Sequence, residues 1–165
     1  MSTQEASDST SRRPLTIFTT LAFNRGQLEL EENKPFAKLI APFGSCEEGS
    51  PNLGIDPRFK LDERDIVLRK TRWATTTSNN LEQILRAQDI DTVVISGLTL
   101  SGVVMATVYR LFDLDCNIYV IADNVLELPL DQNKAFSKVM LETLLPRMNV
   151  GVISLAEAPE AIDEI

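Results

Sequence analysis

The residues best placed to do chemistry converge on one stretch, Asp91-Thr92-Val93-Val94-Ile95-Ser96-Gly97-Leu98-Thr99-Leu100-Ser101-Gly102-Val103-Val104-Met105-Ala106-Thr107. A β-branched apolar run ends at Gly97, a short turn follows, and small residues open a helix. That order gathers unpaired backbone N–H groups and the positive end of a helix dipole, which can hold negative charge developing on a carbonyl oxygen. The bland alternative is a plain strand-to-helix turn in which Gly97 supplies the bend. Lys70 closes an earlier β-rich run, where its ammonium either polarises a ligand carbonyl or carboxylate or sits in solvent beside an acid. Histidine is absent from the chain. This removes Ser–His and Cys–His nucleophile pairs and the usual His-containing zinc sites. No metal or cofactor is expected.

Other candidates carry weaker chemistry. Ser101 could attack only with Lys70 as its base; as a helix-capping residue it needs no such partner. Cys46 lies in a Gly-rich loop and is expected to be exposed. Cys116 opens a strand and is expected to pack as a small apolar residue. Asp123 can orient a loop or cap one. Phe23 and Trp73, near strand ends, line a pocket or belong to the core.

These groups must be positioned by alternating strands and helices. Pro14–Phe23 reads as the first strand, and residues 27–64 as irregular with a short helix over Lys34–Ile40. Asp65–Lys70 is the second strand, and Ser78–Leu81 starts a helix with a Leu81, Ile84, Leu85 stripe. Thr92–Ser96 and Cys116–Ala122 are further strands, separated by a helix over Ser101–Leu114. A helix over Gln132–Leu145, halted by Pro146, precedes a last strand, Asn149–Ser154, and a short helix over Leu155–Ile162. Short apolar strands alternating with helices predict an α/β fold, three layers deep, with a mainly parallel sheet of about five strands. Residues 1–13 read as a disordered polar tail and residues 14–165 as one domain.

Composition narrows the partners. The chain has 165 residues, 44% hydrophobic and 24% charged, with formal net charge -8. Acidity disfavours nucleic acid and anionic membrane surfaces. No apolar run approaches the roughly 20 residues that span a bilayer. The start of the chain lacks the hydrophobic block of a secretory signal, and Glu5 and Asp8 argue against a transit peptide, so a cytoplasmic location is expected.

The stretch around Gly97 resembles the signature of the isochorismatase-like (cysteine hydrolase) superfamily, a glycine–aliphatic–x–Thr–x–x–Cys–Val pattern, with Val103 where the nucleophile belongs. Ser101-Gly102-Val103-Val104 followed by Ala106-Thr107-Val108 resembles a branch that carries Ser-Gly-Val-Val there. Lys70, Arg72, Trp73 and Leu81 fit a second block of the family, with Asn79 in place of a threonine. Phe23-Asn24-Arg25-x-x-x-Glu29, then Asn33 and Phe36, resembles a loop of the same branch.

The resemblance implies an Asp–Lys–Cys triad in fully active members, of which this sequence keeps Lys70. It places Pro14–Phe23 on the family's second strand, so the first strand, with its aspartate and the following helix, has no counterpart here. That strand would lie between the strands formed by Thr16–Leu21 and Thr92–Ser96. The two are therefore expected to pair directly, or to be bridged by another subunit. The resemblance further implies an oxyanion hole from the backbone N–H groups of Thr99 and Val103, a cis peptide between Leu98 and Thr99, and a dimer or tetramer. Leu98, Ser101, Phe23 and Trp73 would line the pocket. Three functions follow as expectations. One is a catalytically degenerate member that binds a small carbonyl compound. The second is an active non-covalent hydrolase or isomerase of a carbonyl or enol-ether substrate relying on Lys70. The third is a non-catalytic interaction module.

Overall fold

The computed structural model describes residues 14–50, 53–130 and 133–163. The polar tail at residues 1–13 and the expected helix start at Gln132 lie outside them. The elements run β1 (Ile17–Leu21), α1 (Pro35–Ile40) with a 3-10 turn (Ala41–Phe43), β2 (Ile66–Lys70), α2 (Leu81–Ala87) and β3 (Thr92–Leu98). A π turn (Leu100–Val104) then runs into α3 (Met105–Phe112), followed by β4 (Asn117–Leu126) and α4 (Asn133–Val139). A second π turn (Met140–Leu144), α5 (Leu145–Arg147), β5 (Gly151–Ile153) and α6 (Ala158–Asp163) complete the order.

The expected α/β class holds, and every strand pair is parallel. The strands form two sheets, however: β1 with β2, and β3-β4-β5. The expected direct pairing of β1 with β3 does not occur among the described residues. The sheets meet through side chains instead. Ile17 of β1 and Leu68 of β2 pack against a core that holds Leu81 and Leu85 of α2 and Ile95 of β3. Leu100, Val104, Val108 and Leu111 recur at helical spacing and are all 1% exposed or less, the apolar stripe that docks α3 on the sheet.

Three helix ends share one device. Asp89, Asp115 and Asn149 adopt positive φ of 51°, 59° and 59°, the left-handed conformation that Asn and Asp tolerate better than most residues. Ile90 N–H then reaches back to the Leu85 carbonyl, Cys116 to Leu111 and Val150 to Leu145. These are Schellman closures with an apolar residue after the bend. Each delivers the chain directly into β3, β4 or β5. Cys116 is therefore the apolar residue of such a closure and packs against the core, as the sequence suggested.

Two boundaries differ from expectation. Pro146 does not halt the long helix. The π turn at Met140–Leu144 lets the helix continue to Arg147, and Met148 N–H closes on the Leu144 and Leu145 carbonyls. β4 continues past Ala122 to Leu126. Its pairing with β3 passes from Ile95↔Val120 to Gly97↔Val125, so β4 carries extra residues over the gap. Within that bulge Asp123 Oδ1 accepts Leu155 N–H at 2.7 Å. Asp123 thus fixes the segment after β5, a structural role. The bulge re-aims the end of β4 toward the helix that follows β3.

Candidate functional site

The segment after Lys70 reaches the helix after Leu98, through Thr75 N–H on Thr107 Oγ1 and Trp73 against Gly102, so the carboxyl ends of β2 and β3 face one region, where open α/β sheets present their sites. Lys70 pairs with Leu21 in register and is 4% exposed. Its Nζ donates to the Trp73 carbonyl at 2.8 Å. Burial lowers its pKa from 10.5 to about 8, because an ammonium withdrawn from water loses hydration. The amine can thus exchange a proton near neutral pH.

Residues 71–80 form a strap from β2 to α2, and Asn79 holds it. Its Nδ2 donates to the Arg69 and Thr75 carbonyls at 2.8 and 2.7 Å, while its Oδ1 accepts Leu81 N–H at 3.0 Å. Thr75 N–H donates to Thr107 Oγ1 at 3.1 Å, and that hydroxyl donates to the Val103 carbonyl at 2.8 Å. The strap is thereby fastened to the helix that follows β3. Thr75 Oγ1 is buried with no hydrogen-bond partner among the described residues.

Trp73 leans from the strap onto the π turn. A Cβ at Gly102 would lie 3.1 Å from Trp73 Cε2 and 2.7 Å from Thr99 Oγ1, so only glycine fits beneath the indole. Phe36 meets the same indole edge-on, with centroids 6.3 Å apart, and the Arg72 guanidinium stands 4.9 Å above the Phe36 ring. Arg72 also donates to the Glu29 carbonyl at 3.1 Å. Glu29 Oε1 in turn accepts Asn24 N–H at 3.0 Å, and this backbone bond holds its carboxyl below the usual range. The loop residues Asn24, Glu29 and Phe36 and the strap residues Arg72 and Trp73, singled out separately in the sequence, form one connected wall.

Across from it, β3 ends irregularly. Gly97 has φ +145° and the Leu98–Thr99 peptide is cis, as the resemblance implied. Thr99 is extended, and its carbonyl accepts Val104 N–H at 3.0 Å. Leu98 is 58% exposed at the rim. Val103 is half-buried, and its isopropyl group has no lone pair with which to attack a carbonyl. Ser101 does not cap the helix: its hydroxyl makes no hydrogen bond among the described residues. Its backbone N–H is bound instead by Glu127 Oε2, a carboxylate 3% exposed.

Glu127 is missed by the sequence pattern, which ends β4 at Ala122, before the bulge. The available signal was a lone acid within the apolar run Val125-Leu126-Glu127-Leu128. Phe23 lies behind the wall, in a cluster against which Phe36 packs. It is fully buried in a small cluster with Ile40 and Cys46, bonded through Cys46 O and Glu48 N–H at 2.8 Å each. Cys46 is accordingly buried rather than exposed, and burial raises its thiol pKa.

The structure thus brings Lys70, Trp73, Thr99, Ser101 and Val103 to one end of the sheets. Two surface clefts lie at the other end. One, of about 480 Å³, is lined by Leu15, Ile66 and Ile84, and one of about 200 Å³ is lined by Phe112, Asn117 and Asn149. Cys116, which also borders the second, is the one candidate from the sequence that either contains among the described residues. Among the described residues no group of His, Cys, Asp and Glu could hold a metal ion, and no helix is long and apolar enough to cross a membrane.

Residues 6–157 match the family model described as Isochorismatase domain. An isochorismatase family protein from Burkholderia thailandensis is similar in structure, with TM-score 0.73 and 20% identity over 92% of this chain and 74% of that one. A cysteine hydrolase from Pseudomonas syringae pv. phaseolicola has TM-score 0.79 and 13% identity over 91% and 72%. A nicotinamidase from Bacillus subtilis has TM-score 0.67 and 16% identity over 85% and 75%. A search of curated proteins returns no match.

Proposed function

The chain belongs to the isochorismatase family, and from that premise we propose that it binds a small carbonyl compound without attacking it covalently. The observation that carries this reading is Val103. A valine stands in the first turn after β3, at the signature position where the resemblance puts a cysteine, while the surroundings of a carbonyl site remain. Lys70 supplies a buried amine, Thr99 and Val103 supply backbone N–H groups as hydrogen-bond donors, and Thr75 supplies an uncommitted buried hydroxyl. Trp73 and the rim residue Leu98 give the ligand apolar surface. Without a thiol no acyl-enzyme forms, so the ordinary covalent route is closed. The site therefore acts as a receptor, with Lys70 and the backbone orienting the carbonyl oxygen.

A second reading has one observation in its favour. A lysine with pKa about 8 can give or take a proton near neutrality, so water addition assisted by Lys70 would make the chain a non-covalent hydrolase. The two readings separate in one experiment. Nicotinamide, chosen because a structural neighbour is a nicotinamidase, is titrated into the full chain by calorimetry, and ammonia is assayed on the same samples. Saturable heat without ammonia is the expected result. Ammonia released catalytically would establish the hydrolase, and absence of any binding would remove this ligand class from the site.

A further inference from the structure

We propose that Glu127 determines the charge class of the ligand, making the site select a neutral carbonyl compound over the corresponding carboxylate. This rests on the binding reading above and extends it to specificity. Glu127 follows β4 directly and is 3% exposed. Its Oε2 accepts Ser101 N–H and its Oε1 accepts Leu128 N–H. Its own N–H donates to Asn133 Oδ1 at 3.0 Å, an oxygen that also accepts the Ser137 hydroxyl. Both carboxyl oxygens accept backbone N–H groups. No ion pair reaches Glu127 among the described residues.

The consequence is electrostatic. The start of the helix after β3 carries roughly half a positive charge, and Glu127 already sits on it. Lys70 supplies a cation at this end of the sheets, bound to the Trp73 carbonyl, and Glu127 supplies an anion directly on the helix start. A ligand entering beside Thr99 and Val103 therefore meets a helix end whose positive charge is already offset, with the Glu127 carboxylate held on the Ser101 N–H between those two residues. A neutral amide carbonyl keeps its hydrogen bonds and loses nothing. A carboxylate meets a buried like charge, and at the effective dielectric of a protein site such repulsion weakens binding by roughly one to two orders of magnitude. Nothing in the sequence of the β3–helix segment predicts this, because the deciding group arrives from β4.

The test is calorimetry on the full chain with nicotinamide and nicotinate, a matched neutral and anionic pair, at pH 7.5. The wild-type chain should bind nicotinamide at least about tenfold more tightly. Glu127→Gln should raise nicotinate affinity by about tenfold or more and leave nicotinamide within about threefold, since the charge is lost while the amide oxygen still accepts Ser101 N–H and only Leu128 N–H loses its acceptor. A purely structural role would weaken both ligands together. Glu127→Ser removes the same charge with a smaller side chain and serves if the glutamine variant does not fold. Equal wild-type affinities, or a ratio unchanged in the charge-free variants, would overturn this inference alone. Binding of neither compound to the wild-type chain would overturn the reading beneath it as well.

Discussion

Lys70→Met is expected to abolish carbonyl binding and to erase a rise in stability between pH 8 and pH 10.5. The folded-state pKa of Lys70 is about 8 against 10.5 in an exposed lysine. Below pH 8 both states carry the proton, and the native state bears the full cost of a buried ammonium. Between the two values the unfolded chain binds the proton and the native chain does not, so stability climbs with pH through that window. The gap corresponds to roughly 3 kcal/mol at most. Methionine fills similar volume without a charge, so its stability should show no such climb. It leaves the Trp73 carbonyl without its donor, at about 1–3 kcal/mol, but that loss is the same at every pH. Urea unfolding of both proteins at pH 7 and pH 10.5 gives the comparison. The gap between them should narrow or reverse in favour of wild type at the higher pH; parallel behaviour would mean that the amine reaches water.

Gly102→Ala is expected to displace Trp73, the only tryptophan in the chain. The added methyl would clash with Thr99 Oγ1 at 2.7 Å and press less tightly on the indole, 3.1 Å from Cε2 and 3.3 Å from Cδ2. Alanine regains about 1 kcal/mol of helix propensity, while overpacking costs about 1–3 kcal/mol. The net change in stability should therefore be a modest loss. The larger effect is on the site. With the indole lifted off the π turn, its emission should shift to the red, and ligand affinity should fall by about tenfold or more, equivalent to some 1.4 kcal/mol of lost contact. Unchanged emission would show that Thr99 alone absorbs the methyl and that Trp73 is no wall of the site.

Local signals made much of this architecture legible. Apolar runs named the strands, and the Leu81 and Leu85 stripe placed α2. Lys70 was identified by its place at a strand end, and the β3–helix segment by its glycine and small residues. What escaped depends on contacts distant in sequence. The separation of β1 from β3 is a matter of which edge pairs with which, and neither strand encodes its neighbour. The extension of β4 requires a bulge stabilised by Asp123 reaching Leu155 after β5. Glu127 becomes part of the site only through that bulge. The burial of Cys46 follows from the long loop folding around Phe23 and Ile40, which Gly-rich composition concealed. Pro146 carries the usual helix-breaking signal, and the π turn before it supplies the exception.

The most direct test of a surviving carbonyl cradle is to titrate nicotinamide into the isotopically labelled full chain and follow its amide resonances. Saturable shifts should centre on the backbone N–H groups of Thr99, Ser101 and Val103 and on the Trp73 indole N–H, with no nicotinate formed. Shifts confined to the cleft between Leu15 and Ile84, or none at the start of the helix after β3, would contradict it.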